Sequence, residues 1–256
     1  MKYALKQLLL HLLWAFRFLL PKKKGISILM YHGIDDSGWE FSMSPDMFQR
    51  HMLYLHENGF IFLTLTDVAN FLSGKSGVPG QGVVITFDDG YQSVATEAAS
   101  VLENYHIPAE LFIHTNRSQK ELGNNLPILS WEEIKDLQTK GFVIESHSAT
   151  HPNLKNLLRE QIRQELETVE QNFQEHLGKK PAFFAYPGGK YSMEAIEELK
   201  SHGYRGACTI NRGLVTRGDD SFQLKRNGMG QKTSWVEFLV RTSHVNDWYE
   251  RLVHLL

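Results

Sequence analysis

The chain has 256 residues, 27 basic against 29 acidic side chains, a formal net charge of −2 and 42% hydrophobic residues. That length can bury one sizeable α/β core, and near-neutral, interspersed charge excludes the global basic field a nucleic-acid partner requires. Cys208 is the single cysteine, which excludes an intrachain disulfide and a cysteine-based zinc cluster; its apolar neighbours mark it as a small buried hydrophobe.

Residues 3–20 are rich in Leu, Trp and Phe, end at Pro21 and precede Lys22, Lys23 and Lys24. At about 100° per residue, Leu5, Leu8, Leu12, Phe16 and Leu19 share one sector, and Lys2, Lys6 and Arg17 lie opposite. This pattern predicts a basic amphipathic helix on a membrane surface. The expected division is therefore residues 1–24 as a membrane-associating segment and residues 25–256 as the catalytic domain. The protein is expected at the membrane, peripheral or N-terminally anchored, with the cytoplasmic face favoured. The alternatives are a signal peptide, which lacks a small-x-small cleavage site before Lys22, a spanning helix, which Lys6, His11 and Arg17 interrupt, and a helix packed on the domain.

Strand-like and helix-like segments then alternate. Ile26 to Tyr31 is an apolar β-branched run ending at His32. Ser44-Pro45 supplies an N-cap with Pro in the first helical position, and Gly59 closes that helix. Val83 to Phe87 reads as a buried strand, Tyr91 to Tyr105 as a crossover helix and Glu110 to His114 as a third strand. Ser130 with Glu133 forms a capping box for a helix stopping near Gly141. Strands over Phe142 to Glu145, Ala182 to Tyr186 and Tyr204 to Ile210 alternate with helices near Leu157 to Leu177, after Ser192, and over Thr233 to Ser243. Strand after helix after strand predicts an α/β fold with a parallel sheet and helices outside.

Reactive groups of such folds gather at the carboxyl ends of the strands. His32, Asp88 with Asp89, His114, His147 and Tyr186 all fall at or just past predicted strand ends. One carboxylate with two imidazoles makes a divalent-metal site with open positions, and a second carboxylate remains free to move protons. If the segment takes a helical turn, His147 and His151 share one face. Adjacent residues on extended backbone point to opposite sides, so Asp88 and Asp89 take separate roles, with Gly90 allowing the turn.

Thr86-Phe87-Asp88-Asp89-Gly90 and His147-Ser148-Ala149-Thr150-His151 resemble the first two motifs of the NodB-type polysaccharide deacetylases, with the match running in order from about residue 26 to about residue 230. The resemblance implies a distorted (β/α) barrel, a divalent metal that is most commonly Zn2+, and hydrolysis of N-acetyl groups on hexosamine residues of a polysaccharide, glycolipid or lipid-linked glycan. It also implies that Asp89, His147 and His151 hold the metal and that Asp88 is the general base. A same-fold hydrolase of O-acetyl, formyl or other amide groups, and an inactive glycan-binding or assembly protein, are the alternative readings.

Three elements depart from the common family pattern. No Leu-x-His strand appears near the C-terminus; instead Ile28-Leu29-Met30-Tyr31-His32 resembles the front segment of an exopolysaccharide-deacetylase subgroup, which makes His32 the expected general acid and His114 the next candidate. Ala185-Tyr186-Pro187-Gly188-Gly189 stands where relatives carry Arg-x-Pro-x-Gly, so Tyr186, Pro187, Gly188 and Gly189 are expected to wall the substrate groove without the arginine that orients the base. Leu224-Lys225-Arg226 resembles a Leu-Pro-Arg element of the same subgroup, so Arg226 is expected to supply that charge, the alternative being a surface arginine. Asp247-Trp248 comes too late in the chain to take over the fourth motif.

Overall fold

The computed structural model describes residues 2–21, 24–77, 80–116 and 125–253. Eight parallel strands are present among them: β1 (Ile26–Tyr31), β2 (Ile61–Phe62), β3 (Gly82–Phe87), β4 (Ala109–Ile113), β5 (Phe142–Ser146), β6 (Phe183–Ala185), β7 (Gly206–Cys208) and β8 (Asn227–Gly228). They form one sheet in the order β7-β6-β5-β4-β3-β1-β8, with β2 on the free end of β3. Just before β8, Leu224 bridges Cys208 of β7, while Asn227 pairs with Leu29 of β1. The segment from Leu224 to Gly228 thus links both edges and curls the sheet into the distorted (β/α) barrel.

The helices are α1 (Lys2–Ala15), α2 (Pro45–Glu57), α3 (Leu65–Leu72), α4 (Ala99–Asn104), α5 (Trp131–Thr139), α6 (Arg159–Leu177), α7 (Met193–Ser201), α8 (Trp235–Arg241) and α9 (Asn246–Val253). Capping follows the local sequence: Ser44 accepts from the Met47 N–H, and Ser130 and Glu133 close a reciprocal capping box. The Tyr91 to Tyr105 helix differs in that it opens with a π turn over Val94–Ala98 before α4. Four elements had no counterpart in the sequence reading: β2, α3, β8 and α9. For α3 the signal was available, because Thr64 and Asp67 form a capping box ahead of Leu65.

Strand alternation sorts the core. Leu29, Tyr31, Val83, Ile85, Phe87, Leu111 and Ile144 face the helices on the outside. Ile26, Ile28, Val84, Phe112, Phe183, Ala185 and Cys208 face the barrel interior, where Leu65, Val68 and Phe71 of α3 plug the bottom. In register with them along β1, β3, β4 and β5, positions 32, 88, 114 and 147 follow at the top rim.

α1 packs on the C-terminal helices through Leu10, Val240, Val245 and Tyr249, with Leu9, Leu13 and Trp14 beside them. Lys22 and Lys23 lie outside the described residues. Among the described residues no helix is long and apolar enough to cross a membrane.

Two carboxyl groups are buried at the bottom of the barrel. Glu110 accepts the Leu65 N–H at the start of α3 (2.8 Å), and Glu145 accepts the Ala182 and Phe183 N–H groups that lead into β6 (2.7 and 2.8 Å). Burial, reinforced by the neighbouring Glu145, pushes Glu110 up to about 8, and burial pushes Glu145 up to about 7. An acid whose folded pKa is raised contributes stability below its ordinary value near 4.5 and loses it as pH rises through the folded value. Glu145→Gln keeps the acceptor oxygen but cannot ionise, so between about pH 5 and about pH 8 it should lose roughly 2 to 3 kcal/mol less stability than the parent. Urea denaturation at the two pH values measures this, and parallel losses in both proteins would contradict it.

Candidate metal and active site

Asp88 directly follows β3 and keeps its interior register; its N–H donates to the Tyr31 carbonyl at 3.0 Å. Its side chain is buried and meets Arg226 in a fork, Nη1 to Oδ1 and Nη2 to Oδ2, both at 2.7 Å. Arg226 is 0% exposed and also donates from Nε to the Thr209 carbonyl (3.0 Å). It is therefore no surface residue. Burial alone would raise the Asp88 carboxyl, but the Arg226 guanidinium, with His147 and His32 nearby, outweighs it and holds the group below the ordinary carboxylate range.

Asp89 does not continue the extended chain. Its φ of +71° is left-handed, followed by Gly90 at +75°, so its carboxylate swings to the same rim as Asp88 instead of the opposite face. Oδ1 lies 3.3 Å from His147 Nε2 and 3.5 Å from His151 Nε2.

The helical turn expected to align His147 and His151 is not there. Residues 147–151 form a loop in which Ser148 (φ +71°) and His151 (φ +57°) are both left-handed. That conformation is held from several sides. The Thr115 and Asn116 N–H groups donate to the Ser148 and Ala149 carbonyls, and Glu165 of α6 accepts the Ala149 and Thr150 N–H groups and the Thr150 hydroxyl. Strained backbone of this kind persists where surrounding bonds over-determine it.

The donor set fits a divalent ion. His147 Nδ1 donates to the Ala185 carbonyl (2.7 Å), which fixes the tautomer and turns the Nε2 lone pair toward Asp89. Asp89 Oδ1 is buried with no hydrogen-bond partner, so acceptors face one another. A tetrahedral ion with bonds of about 2.0 to 2.1 Å would have ligand-to-ligand edges of about 3.3 Å, close to the two spacings seen. The ligand atoms of Asp89, His147 and His151 all lie within 4.8 Å of one another. Electrostatics agrees. Burial would raise Asp89, but the His147, His32 and His151 imidazoles around it hold the carboxyl well below its usual range, while burial and His147 push His151 down to about 4.

The site opens into a cleft of about 700 Å³ that is lined by His32, Trp39, Phe41, Asp88, Asp89, His147 and His151 among others. The His32 ring packs against Trp39 and Phe41 at 5.8 and 5.3 Å, and burial lowers its pKa against the pull of Asp89 and Asp88. His114 is fully buried, its ring 6.4 Å from the His151 ring, and is not among the cleft-lining residues.

The groove wall expected of residues 186–189 needs correction. Tyr186 and Gly188 reach the cleft, but the Tyr186 hydroxyl is committed to the Phe222 carbonyl (3.1 Å) and its ring stacks on Tyr191. Pro187 is buried, and a Cβ on Gly189 would meet Ile210 at 2.4 Å, so that glycine makes room for the Ile210 side chain. Trp39 and Phe41 supply the aromatic wall instead. They lie on the loop after β1, and their aromatic spacing next to a strand-end histidine was the available signal.

Comparisons with known proteins give the family. Residues 75–207 match the family model described as polysaccharide deacetylase. The chain is 30% identical over 205 residues to the Bacillus subtilis protein YxkH, which carries a polysaccharide deacetylase name, covering 80% of this chain and 71% of that one. It is 26% identical over 195 residues to the poly-beta-1,6-N-acetyl-D-glucosamine N-deacetylase of Staphylococcus epidermidis, covering 73% and 67% of the two chains. The solved structure of IcaB from Ammonifex degensii superposes with a TM-score of 0.78 at 25% identity, over 86% of this chain and 98% of that one. The chain belongs to the polysaccharide deacetylase family, hydrolases of carbon–nitrogen bonds in acetylated sugars.

Removing Arg226 leaves Asp88 as a buried, uncompensated carboxylate. Arg226→Ala should therefore cost about 3 to 5 kcal/mol in urea denaturation at neutral pH, and adding Asp88→Asn to it, which also removes the stranded carboxylate charge, should recover part of that loss. Equal costs for the single and double variants would contradict a buried pair of this strength.

Proposed function

We propose that this protein is a metal-dependent N-deacetylase of hexosamine residues in a membrane-proximal glycan, with a β-1,6-linked N-acetylglucosamine polymer as the first substrate to test. The observation that carries the reading is Asp89 Oδ1, buried and unpartnered, facing two imidazole nitrogens beside the Asp88–Arg226 pair. A divalent ion held by Asp89, His147 and His151, with zinc the best match to a carboxylate and two imidazoles, would polarise the acetyl carbonyl and lower the pKa of water toward about 7.

The protein's own groups perform the rest. Arg226 keeps Asp88 ionised, so Asp88 can accept the proton of the water that attacks the amide carbon. The same pairing makes Asp88 a weak base, which suits a water already made acidic. His32, across the cleft, donates a proton to the sugar nitrogen as the C–N bond breaks, releasing acetate and a free amine. Its lowered pKa makes the protonated ring a strong acid. Trp39 and Phe41 offer faces on which a pyranose ring can stack, and Phe41 is half-exposed to do so.

Relatives that carry N-deacetylase names support amide over ester cleavage. The division at about residue 24 and the membrane location belong to the same proposal, since they rest on the composition of the first 24 residues.

The test is acetate release from a β-1,6-linked N-acetylglucosamine oligomer by zinc-loaded protein, with metal content measured on every variant. Asp89→Ala should lose both metal and activity. Asp88→Asn and His32→Ala should retain metal yet lose turnover by roughly 10²- to 10⁴-fold. Near-normal turnover in Asp88→Asn, or no acetate from fully loaded parent protein, would remove the assignment.

A further inference from the structure

The exposed surface of α1 is inverted relative to a helix that merely packs on a domain. Its side toward α8 and α9 carries Leu9, Leu10, Leu13 and Trp14, and the side turned away is also apolar. Leu5, Leu8, Leu12, Phe16, Phe18 and Leu19 are 45% to 71% exposed. Half of the twelve exposed large hydrophobics among the described residues therefore fall within fifteen positions. Scattered exposed leucines need no explanation, but a contiguous stripe of this kind marks a surface that something covers.

Charge identifies what covers it. Residues 1–24 hold six of the 27 basic residues and none of the 29 acidic ones, so the rest of the chain carries 21 basic against 29 acidic, a net of −8. An apolar stripe on a purely basic segment matches an anionic lipid surface, where acyl chains take the apolar side chains and the negative surface potential attracts the segment's net positive charge. A second copy of this acidic protein would satisfy the charge but would have to supply an apolar groove for the stripe.

The same helix is part of the active-site cleft. Lys6 and Gln7 line it together with His32 and the metal-site residues. Gln7 Oε1 accepts from the Ser234 hydroxyl at 3.4 Å, and His244 Nε2 donates to the Arg17 carbonyl at 3.0 Å, so α1 and the turn after it are fixed to the barrel instead of tethered to it.

We infer that α1 is a bilayer-docking element built into the wall of the catalytic cleft, so that seating Leu5, Leu8, Leu12, Phe16, Phe18 and Leu19 in an anionic leaflet holds the cleft at the membrane surface for glycan presented there. The docking part stands on α1 alone; the glycan part rests on the deacetylase reading.

The experiment uses the full chain and vesicles of pure phosphatidylglycerol or pure phosphatidylcholine. The parent should co-sediment with the anionic vesicles far more than with the neutral ones. Leu8→Ser with Leu12→Ser should weaken that binding by at least about tenfold, and Phe18→Ser with Leu19→Ser, beyond the end of α1, should do the same without touching the helix. Both double variants should cleave a soluble N-acetylglucosamine oligomer at the parental rate but a lipid-anchored one in anionic vesicles at least about tenfold more slowly. Parent protein that stays in the supernatant, or double variants that sediment like the parent, would overturn the inference. So would a lipid-free dimer that the substitutions dissociate, because a second copy would then cover the stripe. Vesicle binding without cleavage of either glycan would uphold docking and discard the deacetylase reading.

Discussion

The buried pair of Arg226 and Asp88 joins barrel closure to site electrostatics in a single contact. Arg226 sits in the Leu224 to Gly228 segment that spans from β7 to β1, and Asp88 is the first residue beyond β3. Closing the sheet brings a guanidinium to a carboxylate that could not otherwise stay ionised inside the barrel. The desolvation of both charges is offset by two parallel hydrogen bonds and the Thr209 carbonyl. The next residue extends the arrangement: the Asn227 amide donates to Ser27 Oγ and to the Gly213 and Arg241 carbonyls, tying the closing strand to β1 and to the end of α8. A barrel that failed to close would therefore leave the Asp88 carboxylate without its counter-charge.

Beside that pair, the metal-site candidates depend on backbone that the chain would not choose locally. Three of the four non-glycine residues with positive φ among the described residues are Asp89, Ser148 and His151. Each such residue costs on the order of 1 kcal/mol or more, and the bonds from Glu165, Thr115 and Asn116 offset it for the histidine loop. The result is an anion flanked by two imidazoles at cation-sized spacing. Such a cluster is poorly stable alone, and its repulsions turn into ligand-field geometry once a positive charge is placed between them.

The two ends of the chain meet at the cleft. α1 packs against α8 and α9, and those helices also border the pocket through Glu237, Arg241 and Tyr249. Arg241 is bound to Glu237 and to the Gly228 carbonyl, so the C-terminal helices are locked to β8 and through it to Arg226. The cleft, the exposed apolar stripe of α1 and the Asp88–Arg226 pair are thereby carried on one packed unit instead of on separate modules.

What could be read from the residues alone was whatever depends on near neighbours. The β-branched run of β1, the Ser44 and Ser130 caps, and the Thr86 to Gly90 and His147 to His151 motifs are all encoded within a few positions, and so the parallel α/β barrel and the metal-site candidates were legible. Other features depend on partners distant in sequence. Arg226 and Asp88 are 138 positions apart, and neither periodicity nor spacing distinguishes a buried arginine from a surface one. The two-residue strands β2 and β8 are too short to show alternation and exist because β3 and β1 offer open edges to them. Helical spacing offers one way for two histidines to share an ion, whereas left-handed backbone, stabilised by Glu165 from another element, brings them together. On α1 the sector of Leu5, Leu8 and Leu12 was legible from the helical period, whereas the packing of Leu9, Leu10, Leu13 and Trp14 was not, because their partners on α8 and α9 come from the far end of the chain.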